Sequence, residues 1–239
     1  MTLSDFYSPD APFVKLYSLP HILYLLACGI IIFLFVRNHS RVRANRDTIS
    51  RWLLGILLFQ QIFLLYGWYA VVSGVFWSEG LPLQLCRVSS LLTIAFLINK
   101  DKRVLDVIFY FSIYALISFF YPMNVYNFLH INGISYMINH LLTVLIPIFG
   151  AIAFDWKPDW HSFARASVAF TLYLPCAILA NHLTGGNYFY LTERPFMNDA
   201  PAWLFIGLAY IVTLAGFALV TWLIDLIVTF VRKKQTVKV

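Results

Sequence analysis

The sequence predicts an all-α membrane protein, a bundle of seven transmembrane helices with the N-terminus outside and the C-terminus in the cytoplasm. Composition, apolar runs and the placement of basic residues lead to this prediction. Of the 239 residues, 61% are hydrophobic and only 12% are charged, whereas soluble domains are about half apolar and about a quarter charged. Since no region has an ordinary soluble composition, residues 1–239 are expected to form a single domain in the membrane.

Seven apolar runs are candidates for the helices. A helix needs roughly 20 mostly apolar residues to cross a bilayer. The third run is short, and the seventh is long enough to tilt or to continue into the cytoplasm. The runs are Leu19–Val36, Trp52–Val75, Leu83–Ile98, Val104–Tyr121, Ile134–Phe154, Phe163–Leu183 and Trp203–Val231.

Basic residues predict the orientation of these helices, because cytoplasmic loops are rich in lysine and arginine. They fall in alternate gaps, and the other gaps are nearly free of them. The basic segments contain Arg37, Arg41, Arg43, Arg46 and Arg51, then Lys100, Lys102 and Arg103, then Lys157 and Arg165, and finally Arg232, Lys233, Lys234 and Lys238. The net charge of +6 is therefore assigned to loops beside anionic lipid headgroups, and no nucleic-acid partner is expected.

Several polar residues lie within the apolar runs, where polar groups are costly and often functional. At ~1.5 Å per residue, the fifth run carries His140 roughly 10 Å below the outer surface. The residues that share this outer half of the membrane are His21, Cys86, Arg87, Asn139, His140, Asn181 and His182. A single buried cysteine is usually a small hydrophobic residue, and a single histidine usually bonds to a neighbouring helix. Their common depth is what favours a functional site.

Other polar residues have simpler interpretations. Three histidines, His39, His130 and His161, lie in predicted loops and are expected to be solvated. Asp106, near a cytoplasmic helix end, is expected to pair with a basic residue such as Arg103.

The outer polar residues permit nucleophilic chemistry. A cysteine reacts as its thiolate, which a helix N-terminus and a nearby cation both stabilise. Cys86 lies in the first turn or two of the third predicted helix and is followed by Arg87. If the third and fifth helices are adjacent, His140 could take the thiol proton, and Arg87 could hold a lipid phosphate. Side chains that could orient the imidazole or donate to an oxyanion are Gln84, Asn139 and Asn181.

The segment 81–86, LPLQLC, resembles the LPLHLC signature of the YwaF-like bacterial membrane proteins, a family related to transmembrane protein 164, a eukaryotic phospholipid acyltransferase. Further segments that resemble the family are Leu19–Tyr24, Ile138–Leu142, Lys157–Arg165 and Asn181–Leu191. Family histidines fall on His21 and His140, and family asparagines fall on Asn181 and Asn187.

The resemblance implies a seven-helix acyltransferase-like protein in the bacterial plasma membrane, with Cys86 as nucleophile and His140 as its partner. Gln84 stands where many members have histidine, and His182, where the family often lacks one, could compensate. The expected substrates are phospholipids or lyso-phospholipids, and neither a cofactor nor a resident metal is expected.

Two other functions remain open. The outer cluster could form the pocket of an outward-facing binding or transport protein, although the sequence shows no internal repeat of the kind common in transporters. It could also be a zinc hydrolase with His21, His140 and His182 as ligands. That hypothesis ranks last, because no two of these histidines share a helix at ligand spacing.

Overall fold

The computed structural model describes residues 6–73 and 76–236, with side chains of residues 71–76 and 231–236 outside that description. The helices are α1 (Leu19–Arg37), α2 (His39–Ala44), α3 (Arg46–Phe59), α4 (Leu85–Asn99), α5 (Lys102–Phe120), α6 (Ile131–Phe154), α7 (Trp160–Thr184) and α8 (Ala202–Thr236). Beyond α3 the chain continues as the π-helical segments Gln60–Tyr66, Trp68–Ser73 and Phe76–Gly80, and the 3-10 turn Tyr188–Tyr190 follows α7.

Six helical segments are long and apolar enough to cross a membrane, which confirms the prediction of an all-α, multi-pass membrane protein. They are α1, Arg46–Ala70, α5, α6, α7 and Ala202–Phe230 of α8. The predicted third run corresponds to α4, which has only 15 residues and spans about 22 Å. That is less than the ~30 Å hydrocarbon core of a bilayer, so α4 differs from the other six. Residues 74–75, the predicted end of the second run, lie outside the described residues.

Polar residues set several helix ends, and they explain why the helices begin and end a few residues away from the apolar runs. Asp101 caps α5, and Asp159 forms a capping box with Ser162 at the start of α7. Lys100 and Asp155 end α4 and α6 in the left-handed conformation, with φ of 58° and 52°. Such caps bond the unpaired backbone groups of a helix end.

Helix α6 lies at the centre of the bundle. In an apolar stretch of 18 residues in α6, 67% of the residues are buried, whereas 17% are buried in the corresponding stretches of α1 and α8. Phe149 and Ile146 of α6 pack in one core with Phe96 of α4 and with Leu105 and Ile108 of α5. Polar residues on α6 are therefore enclosed by protein, whereas α1 and α8 present most of their apolar side chains outward, as lipid-facing helices do.

Basic residues from three predicted cytoplasmic segments gather at one end of the bundle, called here the charged end. Arg43 forms an ion pair with Asp155 after α6 and donates to the carbonyl of Ile152 at 2.8 Å. Lys100 lies 5.9 Å from the centre of the Phe154 ring. Helices α4 and α6 therefore end together here, after running in the same direction.

Asp106 is the centre of a hydrogen-bond network near the charged end. One carboxylate oxygen accepts from Trp156 Nε1 at 2.8 Å and from Ser162 Oγ at 2.7 Å. The other accepts from Arg165 at 2.6 Å. The expected pairing of Asp106 with a basic cytoplasmic residue is therefore confirmed, but the partner is Arg165 and not Arg103, because the start of α7 folds back over Asp106.

His130 is buried, so the prediction that it is solvated is wrong. Its side chain is 1% exposed, and it accepts from the backbone N–H of Asn132 at 3.1 Å as the cap of α6. Its Nε2 donates to the carbonyl of Ser8 at 3.2 Å, and its ring stacks on Tyr126 at 4.1 Å. The segment before α1 therefore covers His130, and the sequence of the loop alone gives no sign of that cover.

Candidate functional site

Cys86 lies in the first turn of α4, at the end of the bundle opposite the charged end, and it is half-buried. One turn further along α4, Ser90 Oγ donates to Asn139 Oδ1 of α6. Asn139 precedes His140 in the same helix. Helices α4 and α6 are therefore neighbours at this depth, which is the packing that pairing Cys86 with His140 requires.

His140 is held in one tautomer by its own helix. Its side chain is 5% exposed, and its Nδ1 lies 2.9 Å from the carbonyl oxygen of Tyr136, one turn earlier. A carbonyl only accepts, so Nδ1 carries the proton and Nε2 keeps a lone pair. The Tyr136 and Phe119 rings pack against the imidazole, with centres 3.9 and 5.7 Å away. This arrangement presents Nε2 as a proton acceptor.

Cys86 and His140 share their neighbours. Among the described residues no hydrogen bond joins the two side chains, yet the Arg87 guanidinium interacts electrostatically with both of them. Tyr136 packs on His140 and is also within electrostatic range of Cys86. Proton transfer between the pair then needs a bridging water or a closer approach when substrate binds.

The Arg87 side chain is largely occupied by protein groups. It donates to the carbonyls of Glu79 and Leu81 and, at 2.8 Å, to the hydroxyl of Tyr69. Its guanidinium also lies 4.7 Å from the centre of the Tyr69 ring. These contacts hold the turn that precedes α4. Its charge beside Cys86 favours a thiolate, against the burial of the thiol, which disfavours any charge there. Fewer of its donors are left for the predicted phosphate contact.

Gln84 ties the start of α4 to the loop that follows α7. Its amide nitrogen donates to the carbonyl of Asn187 at 3.1 Å, and its amide oxygen accepts from the backbone N–H of Phe189 at 3.2 Å. Gly186 lets this loop lie close to the segment before α4, since a Cβ there would stand 2.3 Å from the carbonyl oxygen of Ser78. Among the described residues the Gln84 side chain therefore bonds only to the backbone of this loop.

Asn181 and Asn187 stabilise the same loop. Asn181 donates to the carbonyl of Tyr188 at 3.0 Å and accepts from its N–H at 2.6 Å. Asn187 Oδ1 accepts from the backbone N–H groups of Thr192 and Glu193 at 3.0 and 3.1 Å. Both side chains therefore stabilise the loop that lies beside the start of α4.

The remaining two predicted histidines are either bonded to the backbone or exposed. His21 accepts from the backbone N–H of Tyr17 at 3.0 Å and donates to the carbonyl of Phe119 at 2.8 Å, so both ring nitrogens are in use. His182 is exposed on the surface of α7. The described residues contain no group of three histidine, cysteine or acidic side chains placed to hold a metal ion. The zinc hypothesis therefore lacks its ligands in this part of the chain.

Three tyrosines that the sequence did not single out lie within electrostatic range of Cys86. They are Tyr136 of α6, Tyr173 of α7 and Tyr190 of the loop after α7. One signal was present, because Tyr136 precedes His140 by one helical turn and so shares its face. For the other two, only the folded chain reveals the proximity.

Comparison with known proteins gives one match. A model of the TMEM164 family matches residues 16–225, a range that contains Cys86, His140 and the loop after α7. No curated protein and no solved structure matches the chain at a significant level.

Proposed function

The chain belongs to the TMEM164 family, and from that premise we propose that it is a membrane lipid acyltransferase, or a related acyl hydrolase, that works through a thioester on Cys86. The observation that carries this proposal is the neighbourhood of Cys86. A half-buried thiol at a helix N-terminus lies beside a buried arginine, close to a histidine whose Nε2 lone pair is free to accept a proton. These are the elements of an activated nucleophile.

The proposed reaction has two steps. In the first, the Cys86 thiol proton passes to His140 Nε2 and the sulfur bonds to the acyl carbon of a phospholipid. The carbonyl π electrons move to oxygen and return as the ester C–O bond breaks, and the departing lyso-lipid oxygen takes the proton from His140. In the second, a lyso-lipid hydroxyl or water gives its proton to His140 and attacks the thioester, and Cys86 leaves as the thiol. Dividing one difficult transfer into two easier ones is what a covalent nucleophile achieves.

We also propose that α4 crosses the membrane as well, which makes seven crossings in total. In this topology the N-terminus is outside, and Cys86 faces the outer leaflet of the bacterial plasma membrane. The gathering of Arg43, Lys100 and Arg165 at the charged end supports this orientation, because cytoplasmic loops carry the basic residues. Cys86 and the loop after α7 lie at the opposite end of the bundle.

Single cysteines test the orientation. In a variant with the three native cysteines replaced by alanine, we expect Leu129→Cys to react with a membrane-impermeant maleimide added to intact cells, since Leu129 is exposed in a predicted outer loop. Arg51→Cys, exposed near the charged end, should react only after the cells are opened. The reverse pattern would show that the orientation is inverted.

The activity is tested with purified full-length protein in liposomes that contain phosphatidylcholine with a labelled acyl chain and an unlabelled lyso-phospholipid. We expect the label to appear in the lyso-lipid, or as free fatty acid if water is the acceptor. We also expect a hydroxylamine-labile label on the peptide that contains Cys86. A protein that binds the labelled lipid but forms neither product nor adduct would instead favour a binding or transport function.

A further inference from the structure

The three tyrosines near Cys86 differ in what their hydroxyl groups bond. Tyr136 donates to the carbonyl of Ser118 at 2.8 Å, and Tyr173 donates to the carbonyl of Leu83 at 2.8 Å. Among the described residues the Tyr190 hydroxyl has no hydrogen-bond partner, and the residue is partly exposed. Tyr190 therefore carries the hydroxyl of the three that remains able to donate to a bound molecule.

The backbone around Tyr190 is held in an unfavourable conformation. Phe189 and Tyr190 both have positive φ, 57° and 52°, which costs residues with a side chain about 1–2 kcal/mol each. The bond from Phe189 N–H to Gln84 stabilises this conformation from one side, and the two bonds between Asn181 and Tyr188 stabilise it from the other. Such strained segments are common at functional sites, where they aim a side chain.

Gln84 also fixes the relation between Tyr190 and the thiol. It is the residue immediately before α4 and stands two positions before Cys86. Because its side chain bonds the residues on either side of Tyr188, the start of α4 and the loop that carries Tyr190 are joined directly. The Gln84 side chain therefore positions the segments that carry Tyr190 and Cys86 relative to each other.

We propose that the Tyr190 hydroxyl donates a hydrogen bond to the acyl oxygen as negative charge develops on it during attack by Cys86. This inference rests on the proposed acyltransferase function. The hydroxyl keeps its proton throughout, while the carbonyl electron pair moves to oxygen and back as the S–C bond forms and the ester C–O bond breaks. No side chain caps the first turn of α4, and the N–H of Arg87 already bonds the Gln84 carbonyl. The N–H groups of Leu85 and Cys86 then complement the phenol as donors.

The test compares two reactions of the same thiol in the full-length protein in liposomes. Acyl transfer from phosphatidylcholine develops an oxyanion, whereas alkylation of Cys86 by iodoacetamide does not. We expect Tyr190→Phe to slow acyl transfer about 100-fold, the size of effect seen when one oxyanion donor is removed. Alkylation of Cys86 should stay within about twofold of wild type.

The matched control is Tyr173→Phe, which removes a hydroxyl near the same thiol that is already bonded to a backbone carbonyl. It should change transfer and alkylation in parallel, because its role is structural. If Tyr190→Phe transfers acyl groups at the wild-type rate, or slows both reactions equally, Tyr190 is not the oxyanion donor and the proposed function still stands. A wild-type protein with no Cys86-dependent transfer contradicts both proposals.

Discussion

Replacing Cys86 by alanine should abolish acyl transfer while leaving the protein folded. The change removes one sulfur from a half-buried position in the first turn of α4 and keeps a good helix former there. Without the sulfur no thioester can form. Cys86→Ser should be nearly as inactive, because a hydroxyl at this position ionises far less readily than a thiol. Lipid mass spectrometry after incubation with donor and lyso-lipid measures the loss directly.

Cys176→Ala is the matched control for this experiment. Cys176 is an exposed cysteine on α7, so its removal tests the general effect of losing a thiol from the membrane region. The Cys176→Ala variant should transfer acyl groups at the wild-type rate. If Cys86→Ala retained transfer and the hydroxylamine-labile adduct, the covalent mechanism would be wrong.

His140→Ala should reduce acyl transfer by about 10²–10⁴-fold, the usual contribution of a general base or acid. The imidazole is buried on α6, and its Nδ1 is bonded to the Tyr136 carbonyl. In the proposed mechanism its Nε2 accepts the thiol proton and later returns a proton to the leaving oxygen. The measurement is the initial rate of label transfer at saturating donor lipid.

His140 also packs against two aromatic rings, so a packing defect has to be separated from a lost base. His140→Gln keeps much of the volume but provides no comparable base, and it should be nearly as slow as the alanine variant. His161→Ala, at an exposed position near the charged end, is the control histidine and should keep the wild-type rate. A fully active His140→Gln would show that His140 only fills space.

The sequence predicts the helices well where the signal is local. A continuous apolar run is a property of neighbouring residues, so six full-length spans follow from it directly. Contacts between residues that are distant in the sequence do not follow from such local patterns. Asp106 bonds Arg165, which is 59 positions away in the sequence. The sequence pattern alone suggests the nearby Arg103. His130 is similar, since its cover comes from the segment before α1.

For the candidate site, residue type and depth identified Cys86 and His140 but not the roles of the residues around them. The sequence suggests Gln84 and Asn181 as side chains that assist the chemistry and Asn187 as a supporting residue, and in the structure all three side chains bond the backbone of one loop. That loop contains residues with a left-handed backbone conformation, such as Phe189. Neither the periodicity of the apolar residues nor the spacing of motifs predicts such a conformation. For the same reason the free hydroxyl of Tyr190 becomes apparent only in the folded chain.

The short length of α4 has a mechanical consequence for the lipid around it. In the proposed topology α4 crosses the membrane, so its exposed residues Leu91 and Ile98 would meet acyl chains, yet the helix is about 8 Å shorter than a typical hydrocarbon core. A bilayer responds to such hydrophobic mismatch by thinning locally. Headgroups beside α4 then sink toward Cys86, and with them the glycerol ester bonds that lie just beneath. Local thinning of the bilayer would therefore bring the ester bond to Cys86, and the lipid would not have to leave the bilayer.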